Sequence, residues 1–242
     1  MFDSGLIAYL KKALKVAVLT GAGVSAESGV PTFRGKEGLW KKFKPEELAN
    51  FDSFMKNPDI VWEWYAFRKK MMSEVHPNPG HHSLVKMEEY YPDFTLITQN
   101  IDNLHRIAGS KNILELHGNI RRNYCLDCGR QYDDEQLQMG KTAPRCECGG
   151  LIRPDVVWFG EMLPQDILNA AFRAAEECEV FFSLGTSALV SPASMLPMIA
   201  KTANALLIEI NPEETELTKA VDHHLQGPSG EILPQLIQEM GI

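Results

Sequence analysis

The chain has 242 residues, of which 44% are hydrophobic and 23% charged, and its formal net charge is −8 at pH 7. This composition predicts one sizeable globular domain with a small appendage, and it argues against a protein built to grip nucleic acid, which needs clustered Lys and Arg. The N-terminus offers no continuous apolar stretch of signal-peptide or membrane-span length. We therefore expect a cytoplasmic protein without membrane or nucleic-acid partners.

A glycine-rich loop follows the first strand signal, the apolar run VAVL at 16–19. Gly21, Gly23 and Ala26 have the spacing G-x-G-x-x-G/A, in which backbone N–H groups approach a phosphate because no Cβ intervenes. Alone this is weak evidence for phosphate binding. In a dehydrogenase a helix would continue from the loop, but two glycines and a proline interrupt it by residue 35.

The remaining pattern alternates strands with helices. Further strand signals lie at 94–98, 113–118, 179–185 and 205–210, and helical patterns include 164–177 and 191–203. This alternation predicts an α/β fold with a Rossmann-type open parallel sheet. Polar residues follow five of the strands, and ligands of such sheets bind at the carboxyl ends of the strands. We therefore expect one crevice there.

Two segments do not fit this sheet. Residues 36–92 combine aromatic residues and Met at helical spacing, and residues 123–150 hold four cysteines. We predict that these two insertions form one small lobe, with a helical module and a zinc-ribbon module. The Rossmann-type domain is predicted to comprise 1–35, 93–122 and 151–242.

Four of the five cysteines form a metal-binding pattern. Cys125 and Cys128 are spaced C-x2-C, and Cys146 and Cys148 are spaced C-x-C. Four thiolates complete the tetrahedral shell of zinc, so the predicted site is structural and holds one ion. Basic and acidic residues are equal in number around this site, which argues against a nucleic-acid-binding ribbon. The fifth, Cys178, is interpreted as a buried thiol.

The histidines divide into two groups. His117 and His105 lie at the predicted crevice, at the ends of the segments LHG and TQNIDNLH. A solvated turn and a structural histidine are the alternatives for these two segments. The pairs His81–His82 and 223–224 are interpreted as surface doublets.

Together these motifs resemble the sirtuin family of NAD-dependent protein-lysine deacylases. The resemblance extends from about residue 16 to residue 232 and is carried by the segments GAGVSAESGVPTFRG, TQNIDNLH, LHG, VVWFGE, GTS and IN together with the four cysteines. It implies that NAD+ is a co-substrate, that acyl-lysine peptides or proteins are substrates, and that nicotinamide and O-acyl-ADP-ribose are released. The chain is most similar to the branch with Tyr and Arg in its acyl pocket, here Tyr65 and Arg68, which implies removal of succinyl or malonyl as well as acetyl groups. Without the resemblance, the sequence favours the alternative that Tyr65 is a core aromatic and Arg68 a surface charge.

The resemblance also implies roles for single residues. His117 is the general base, and Asn100 and Asp102 hold the nicotinamide ribose and carboxamide. The cofactor residues are Gly21, Ala22, Gly23, Ser25, Glu27, Thr32, Phe33, Arg34, Trp40, Gln99, Asn100, Ile101, Asp102, Gly185, Thr186, Ser187, Asn211 and Ser229. The substrate residues are Tyr65, Arg68, Val157, Trp158, Phe159, Gly160 and Val190. Thr32 departs from the commoner loop Pro-Asp-Phe-Arg, and we expect the change to be tolerated.

Three alternative functions follow from the same residues. A protein ADP-ribosyltransferase would generate the same electrophile from NAD+. A dehydrogenase predicts an uninterrupted loop-to-helix transition and an acidic ribose partner, and this sequence has neither. A zinc-ribbon binding module predicts a basic face, which the residues around the cysteines do not supply.

Overall fold

The structure is a computed structural model that describes residues 2–32, 48–137, 140 and 142–242. The helices are α1 (Ser4–Leu10), α2 (Ala22–Ala26), α3 (Phe51–Lys56), α4 (Pro58–Ser73), α5 (Pro79–Tyr90), α6 (Leu104–Ala108), α7 (Gln165–Glu177), α8 (Leu196–Thr202) and α9 (Ser229–Met240). The strands are β1 (Lys15–Thr20), β2 (Asp93–Thr98), β3 (Ile113–Glu115), β4 (Gly118–Cys125), β5 (Gln131–Asp133), β6 (Ile152–Val156), β7 (Val180–Leu184), β8 (Leu206–Asn211) and β9 (His223–Gln226). Within these described ranges, short 3-10 turns cover Asp134–Gln136 and Ala193–Met195.

The large sheet has six parallel strands in the order β3-β2-β1-β7-β8-β9. This confirms the predicted Rossmann-type sheet. The chain winds outward from β1 to β3 and then returns to build β7 to β9 on the other side of β1. The strand order therefore reverses between β1 and β7, where open α/β sheets bind their ligands.

Two details of the sheet differ from the sequence-based expectations. The strand predicted over 113–118 ends at Glu115, because the chain turns there into β4. The pair His223 and His224 is not a surface doublet, since both residues are half-buried in β9. This edge strand is short and polar and gives no strand signal in the sequence.

Helices cover both faces of the large sheet. On one face, α1, α5 and α9 contribute to a core that contains Leu10, Leu84 and Leu236. On the other face, small residues of α7, such as Ala171 and Ala175, allow the helix to pack closely on the strands. The strands are apolar on both sides because both of their faces are buried.

A second, three-stranded sheet carries the cysteines, with β4 in the middle and β5 and β6 antiparallel to it. A separate core beside it is formed by α3, α4 and the segment that follows β6. The division into two lobes stays a prediction. The packing of α5, β4 and β6 differs from the boundaries predicted for these lobes. Helix α5 packs on the large sheet, while β4 and β6 extend the cysteine module from residue 118 to residue 156. None of the described helices has the length and apolar character needed to cross a membrane.

Candidate active site

The ends of β1 and β7 meet at the point where the strand order reverses. The N–H group of Gly21 donates to Leu184 O at 2.9 Å, and that of Gly23 donates to Gly185 O at 2.8 Å. A Cβ on Gly23 would lie 2.7 Å from Gly185 Cα, and Gly185 itself has a φ of 55°. Glycine is therefore required at both positions. Helix α2 ends at Ala26, so the interrupted loop that the sequence predicts is present up to the last described residues before the gap.

A buried polar network lies directly beneath this loop. The amide of Asn100 donates to Gly21 O at 2.9 Å and to Ser25 Oγ at 3.3 Å. Asp102 accepts from Ser25 Oγ at 2.7 Å through one oxygen and from Leu104 N at 2.9 Å through the other. Burial raises the pKa of the Asp102 carboxyl, while these two hydrogen bonds lower it. The network fixes the segment after β2 against the segment after β1.

Two histidines stand behind this network, and one of them corrects a sequence-based interpretation. His81 is fully buried, with its ring centroid 4.8 Å from that of His105 and its Nε2 atom 3.5 Å from Ser25 Oγ. It is therefore not part of a surface doublet, although His82 is exposed. Burial lowers the pKa of His81 to about 4 and that of His105 well below its usual value, so both rings are neutral near pH 7. The sequence contains a signal for the burial of His81: this residue lies one helical turn before Leu84, on the buried stripe of α5.

His117 lies in the turn between β3 and β4, at the carboxyl edge of the large sheet. Its Nδ1 atom is 2.9 Å from Gln99 O. A carbonyl oxygen only accepts hydrogen bonds, so Nδ1 carries the proton and Nε2 keeps its lone pair. Burial lowers the pKa of His117, and the bond to Gln99 partly opposes this. The ring is thus held as a neutral base.

The turn that carries His117 is anchored by Glu115. This buried carboxylate accepts hydrogen bonds from Arg106 at 2.9 and 3.1 Å, from Arg122 at 2.7 Å and from Asn119 at 2.7 Å. Burial alone would raise the pKa of Glu115, but these donors together hold it below its usual value. The two guanidinium groups thus fix the chain two residues before His117.

The ends of β2, β7 and β8 converge on Thr186. Gln99 Nε2 donates to Thr186 Oγ1 at 3.1 Å, and Asn211 Nδ2 donates to Thr186 O at 3.0 Å. Ser187 follows and is half-buried. The predicted cofactor residues Gln99, Thr186 and Asn211, which come from the ends of three strands, therefore lie together at the carboxyl edge of the large sheet.

Other predicted cofactor residues have different surroundings. The Glu27 carboxylate accepts from Gly230 N at 2.7 Å, and Ser229 is the buried first residue of α9. Glu27 therefore stabilises the N-terminus of that helix, and a cofactor role for either residue stays a prediction. Three further residues, Phe33, Arg34 and Trp40, lie outside the described part of the chain.

Helix α4 brings Tyr65 and Arg68 to this edge of the sheet. Arg68 is 4% exposed and lines a pocket together with Asn100, Ile101 and Asp102. Burial lowers the pKa of Arg68, and the nearby Tyr65 and Asp102 partly restore it. The guanidinium stays charged because its usual pKa is above about 12. The interpretation of Arg68 as a surface charge is therefore wrong.

Trp158 is fully buried, and its neighbours hold the segment that follows β6. Trp158 Nε1 donates to the Tyr65 hydroxyl oxygen at 2.9 Å. Its ring lies 3.5 Å from the guanidinium carbon of Arg153, which also binds both oxygens of Glu161 at 2.5 and 2.9 Å. Arg153 was not identified from the sequence, because a lone Arg in a strand gives no signal of burial. Phe159, by contrast, is 48% exposed.

The four predicted zinc ligands converge. Their sulfur atoms all lie within 4.8 Å of one another, with Cys125 and Cys148 at 3.5 Å and Cys128 and Cys146 at 3.6 Å. Tetrahedral Zn–S bonds of about 2.3 Å separate sulfur atoms by roughly 3.8 Å, whereas a disulfide needs about 2.05 Å. Tyr132 donates to Cys146 Sγ at 3.0 Å, which favours the thiolate that a metal needs. The four cysteines are positioned to bind one zinc ion.

Replacing Cys146 with Ser is expected to release zinc and to destabilise the cysteine module, because a four-ligand site contributes directly to folding. The test is zinc content by mass spectrometry together with thermal unfolding. Cys178 provides the control: its sulfur donates to Ala175 O at 3.4 Å, far along the chain from the module. Cys178→Ser should keep one zinc per chain. Full zinc occupancy in Cys146→Ser would contradict the assignment.

The chain is similar to known proteins over most of its length. The family model described as "Sir2 family" matches residues 21–192. An "NAD-dependent protein deacylase" of Aquifex aeolicus is 53% identical over 214 residues, which is 88% of this chain and 90% of the relative. Two solved structures are similar to the whole chain. A Sir2 homolog-NAD complex has a TM-score of 0.93 and is 44% identical, and the match covers 100% of this chain and 94% of that structure's chain. A Sir2-p53 peptide-NAD+ complex has a TM-score of 0.88 and is 34% identical, and the match covers 100% of this chain and 99% of that structure's chain.

Proposed function

The chain belongs to the Sir2 family and is an NAD-dependent protein deacylase, and from that premise we propose that it removes succinyl and malonyl groups from lysine in addition to acetyl groups. The observation that carries this proposal is the buried guanidinium of Arg68 at the pocket formed with Asn100, Ile101 and Asp102. A guanidinium binds a carboxylate through two parallel hydrogen bonds. An acyl chain with a terminal carboxylate would therefore complement the Arg68 guanidinium.

The surroundings of Arg68 support an anionic ligand. Tyr65 and Asp102 both raise the pKa of Arg68, and the Asp102 oxygens also accept hydrogen bonds from Ser25 and Leu104. The Tyr65 oxygen accepts from Trp158 Nε1, and within the described part of the chain its own O–H group remains as a donor. A guanidinium and a phenol one helical turn apart can therefore both donate to one carboxylate.

His117 is proposed to be the general base. When bound, NAD+ supplies an electrophilic ribose carbon from which nicotinamide can leave. Neutral His117 accepts a proton from a ribose hydroxyl at Nε2, while its Nδ1–H bond to Gln99 O keeps the ring in that tautomer. Asn100 and Asp102 hold the nicotinamide ribose and carboxamide, and the network with Ser25 fixes them in place.

The acyl-lysine peptide is proposed to bind as an added strand between residues 159–161 and 188–190. Main-chain hydrogen bonds give such a complex its affinity with little sequence preference. The bidentate bond between Arg153 and Glu161 supports this role, because it orders the chain next to the exposed Phe159. Phe33 and Arg34 are proposed to cover the bound co-substrate and exclude water. A cytoplasmic location stays a prediction.

The proposal is tested with peptides of one sequence that carry succinyl-, malonyl-, acetyl- or butyryl-lysine. We expect kcat/KM to be highest for the two dicarboxylic groups. Butyryl is the control, because it matches succinyl in chain length but lacks the terminal charge. Equal activity on butyryl and succinyl peptides would show that the pocket measures length, and activity on acetyl alone would overturn the proposal.

A further inference from the structure

Helix α4 is attached to the cysteine module along one face. At its start, Asp59 Oδ1 accepts from Ala143 N at 2.8 Å. One turn later, Trp62 is fully buried in a cluster with Cys125 and Cys146. Two turns after Trp62, Lys69 is only 3% exposed. Since these positions are spaced i, i+3 and i+10, they form one stripe of the helix.

Lys69 makes the most polar of these attachments. Its Nζ atom donates to Asn123 Oδ1 at 2.7 Å, pairs with Asp134, and lies 5.6 Å from the ring centroid of Trp62. Asn123 in turn donates to Asp134 Oδ1 at 3.0 Å and to Tyr132 O at 3.2 Å. Lys69 is therefore bound by β4 and by the turn after β5. Removing one partner of such a buried group is costly, because the other is left desolvated.

The adjacent face of the same helix carries Tyr65 and Arg68. A rotation of α4 about its axis would move both side chains together, because residues three apart lie on one face. Lys69 is the neighbour of Arg68 in the chain and resists such a rotation through two contacts to another module. The orientation of α4 about its axis therefore sets the direction of both the Tyr65 and the Arg68 side chains.

We propose that Lys69 is a positioning residue for acyl selectivity: its contacts with Asn123 and Asp134 fix the rotation of α4 and thereby direct Arg68 and Tyr65 at the acyl chain. The inference rests on the proposed function of Arg68. Lys69 binds Asn123 and Asp134 and does not line the pocket that contains Arg68. Its effect is therefore on the ratio of dicarboxylic to acetyl activity.

Lys69→Met keeps the aliphatic stem and removes the ammonium group. We expect it to lower kcat/KM on a succinyl peptide by about ten-fold, the scale of a misplaced polar contact, mainly through KM, with acetyl activity changed far less. Asp134→Ala should act in the same direction, whereas Asp134→Asn keeps an oxygen acceptor and should restore most of the selectivity. Lys70→Met is the matched control, because Lys70 is an exposed neighbour on the same helix.

A double variant separates this inference from the proposed function. If Lys69 acts through Arg68, Lys69→Met should not change the succinyl-to-acetyl ratio further in an Arg68→Met background. Equal losses of Lys69→Met on both peptides, or an undiminished effect in that background, would overturn the inference. An unchanged ratio in Arg68→Met alone would instead overturn the proposed function. If Lys69→Met fails to fold, the pair Asp134→Ala and Asp134→Asn tests the same contact.

Discussion

Replacing His117 with Ala is expected to lower kcat by about 10²–10⁴-fold, the usual contribution of a general base. The side chain is half-buried, and its Nδ1 atom is held by Gln99 O at 2.9 Å. Among the described residues, His105 and His81 are the imidazoles behind the site, and both are buried there, with His105 bonded to Thr20 at 3.0 Å, so they cannot substitute. Fold and NAD+ affinity should be retained.

The measurement is single-turnover deacylation together with isothermal titration of NAD+. His82→Ala is the control, since His82 is an exposed histidine of α5 and should have full activity. Activity of His117→Ala within a few-fold of the parent would show that His117 is not the base.

The pH profile follows from the same residue. Because burial lowers the pKa of His117 from its usual value of 6.5, the neutral, active form persists to lower pH than for a free imidazole. The kcat/KM of the parent should therefore rise with pH through a midpoint below 6.5. This limb should be absent from the residual activity of His117→Ala. A midpoint above 6.5 would indicate a different base.

Replacing Arg68 with Met is expected to cost about 2–4 kcal/mol in transition-state binding of a succinyl substrate, the scale of a charge-assisted pair lost from a desolvated site. This corresponds to a fall in kcat/KM of roughly 30- to 1000-fold. Acetyl-lysine has no terminal carboxylate, so its hydrolysis should change far less. Tyr65→Phe, which removes only the hydroxyl, should show a smaller loss in the same direction.

Arg68→Lys separates charge from geometry. Lysine keeps the positive charge but not the fork of two parallel donors, so its succinyl activity should be intermediate. Equal losses of Arg68→Met on succinyl and acetyl peptides, with kcat/KM measured side by side, would show that Arg68 supports the fold or the co-substrate and does not read the acyl chain.

The fold could be predicted because its signals are local. Apolar runs bounded by glycine and polar residues identify five strands of the large sheet, and the interrupted loop after β1 ends α2 at Ala26. The cysteine site could be predicted for a similar reason, because two short spacings carry all four ligands. Gly185 is required by a contact with Gly23 that sequence spacing does not reveal.

The supporting contacts could not be predicted, because they join distant positions. Lys69 appears on a helix beside an exposed lysine, and only the fold brings Asn123 to it from 54 positions away. His81 was misinterpreted because its neighbour His82 is exposed. Helical periodicity places Lys69 and His81 on the buried stripes of their helices. A polar residue beside an exposed residue of the same type nevertheless suggests a solvated surface when only the residue types are considered.

The central claim is that the chain frees lysine by transferring its acyl group to ADP-ribose, with release of nicotinamide from NAD+. The most direct test measures nicotinamide release by the parent enzyme with a succinyl-lysine peptide, with the same peptide unmodified, and with no peptide. We expect one nicotinamide for each lysine freed, one O-succinyl-ADP-ribose formed, and no release without the acyl group. Nicotinamide released equally from all three mixtures, or ADP-ribose attached to protein in place of freed lysine, would contradict the account.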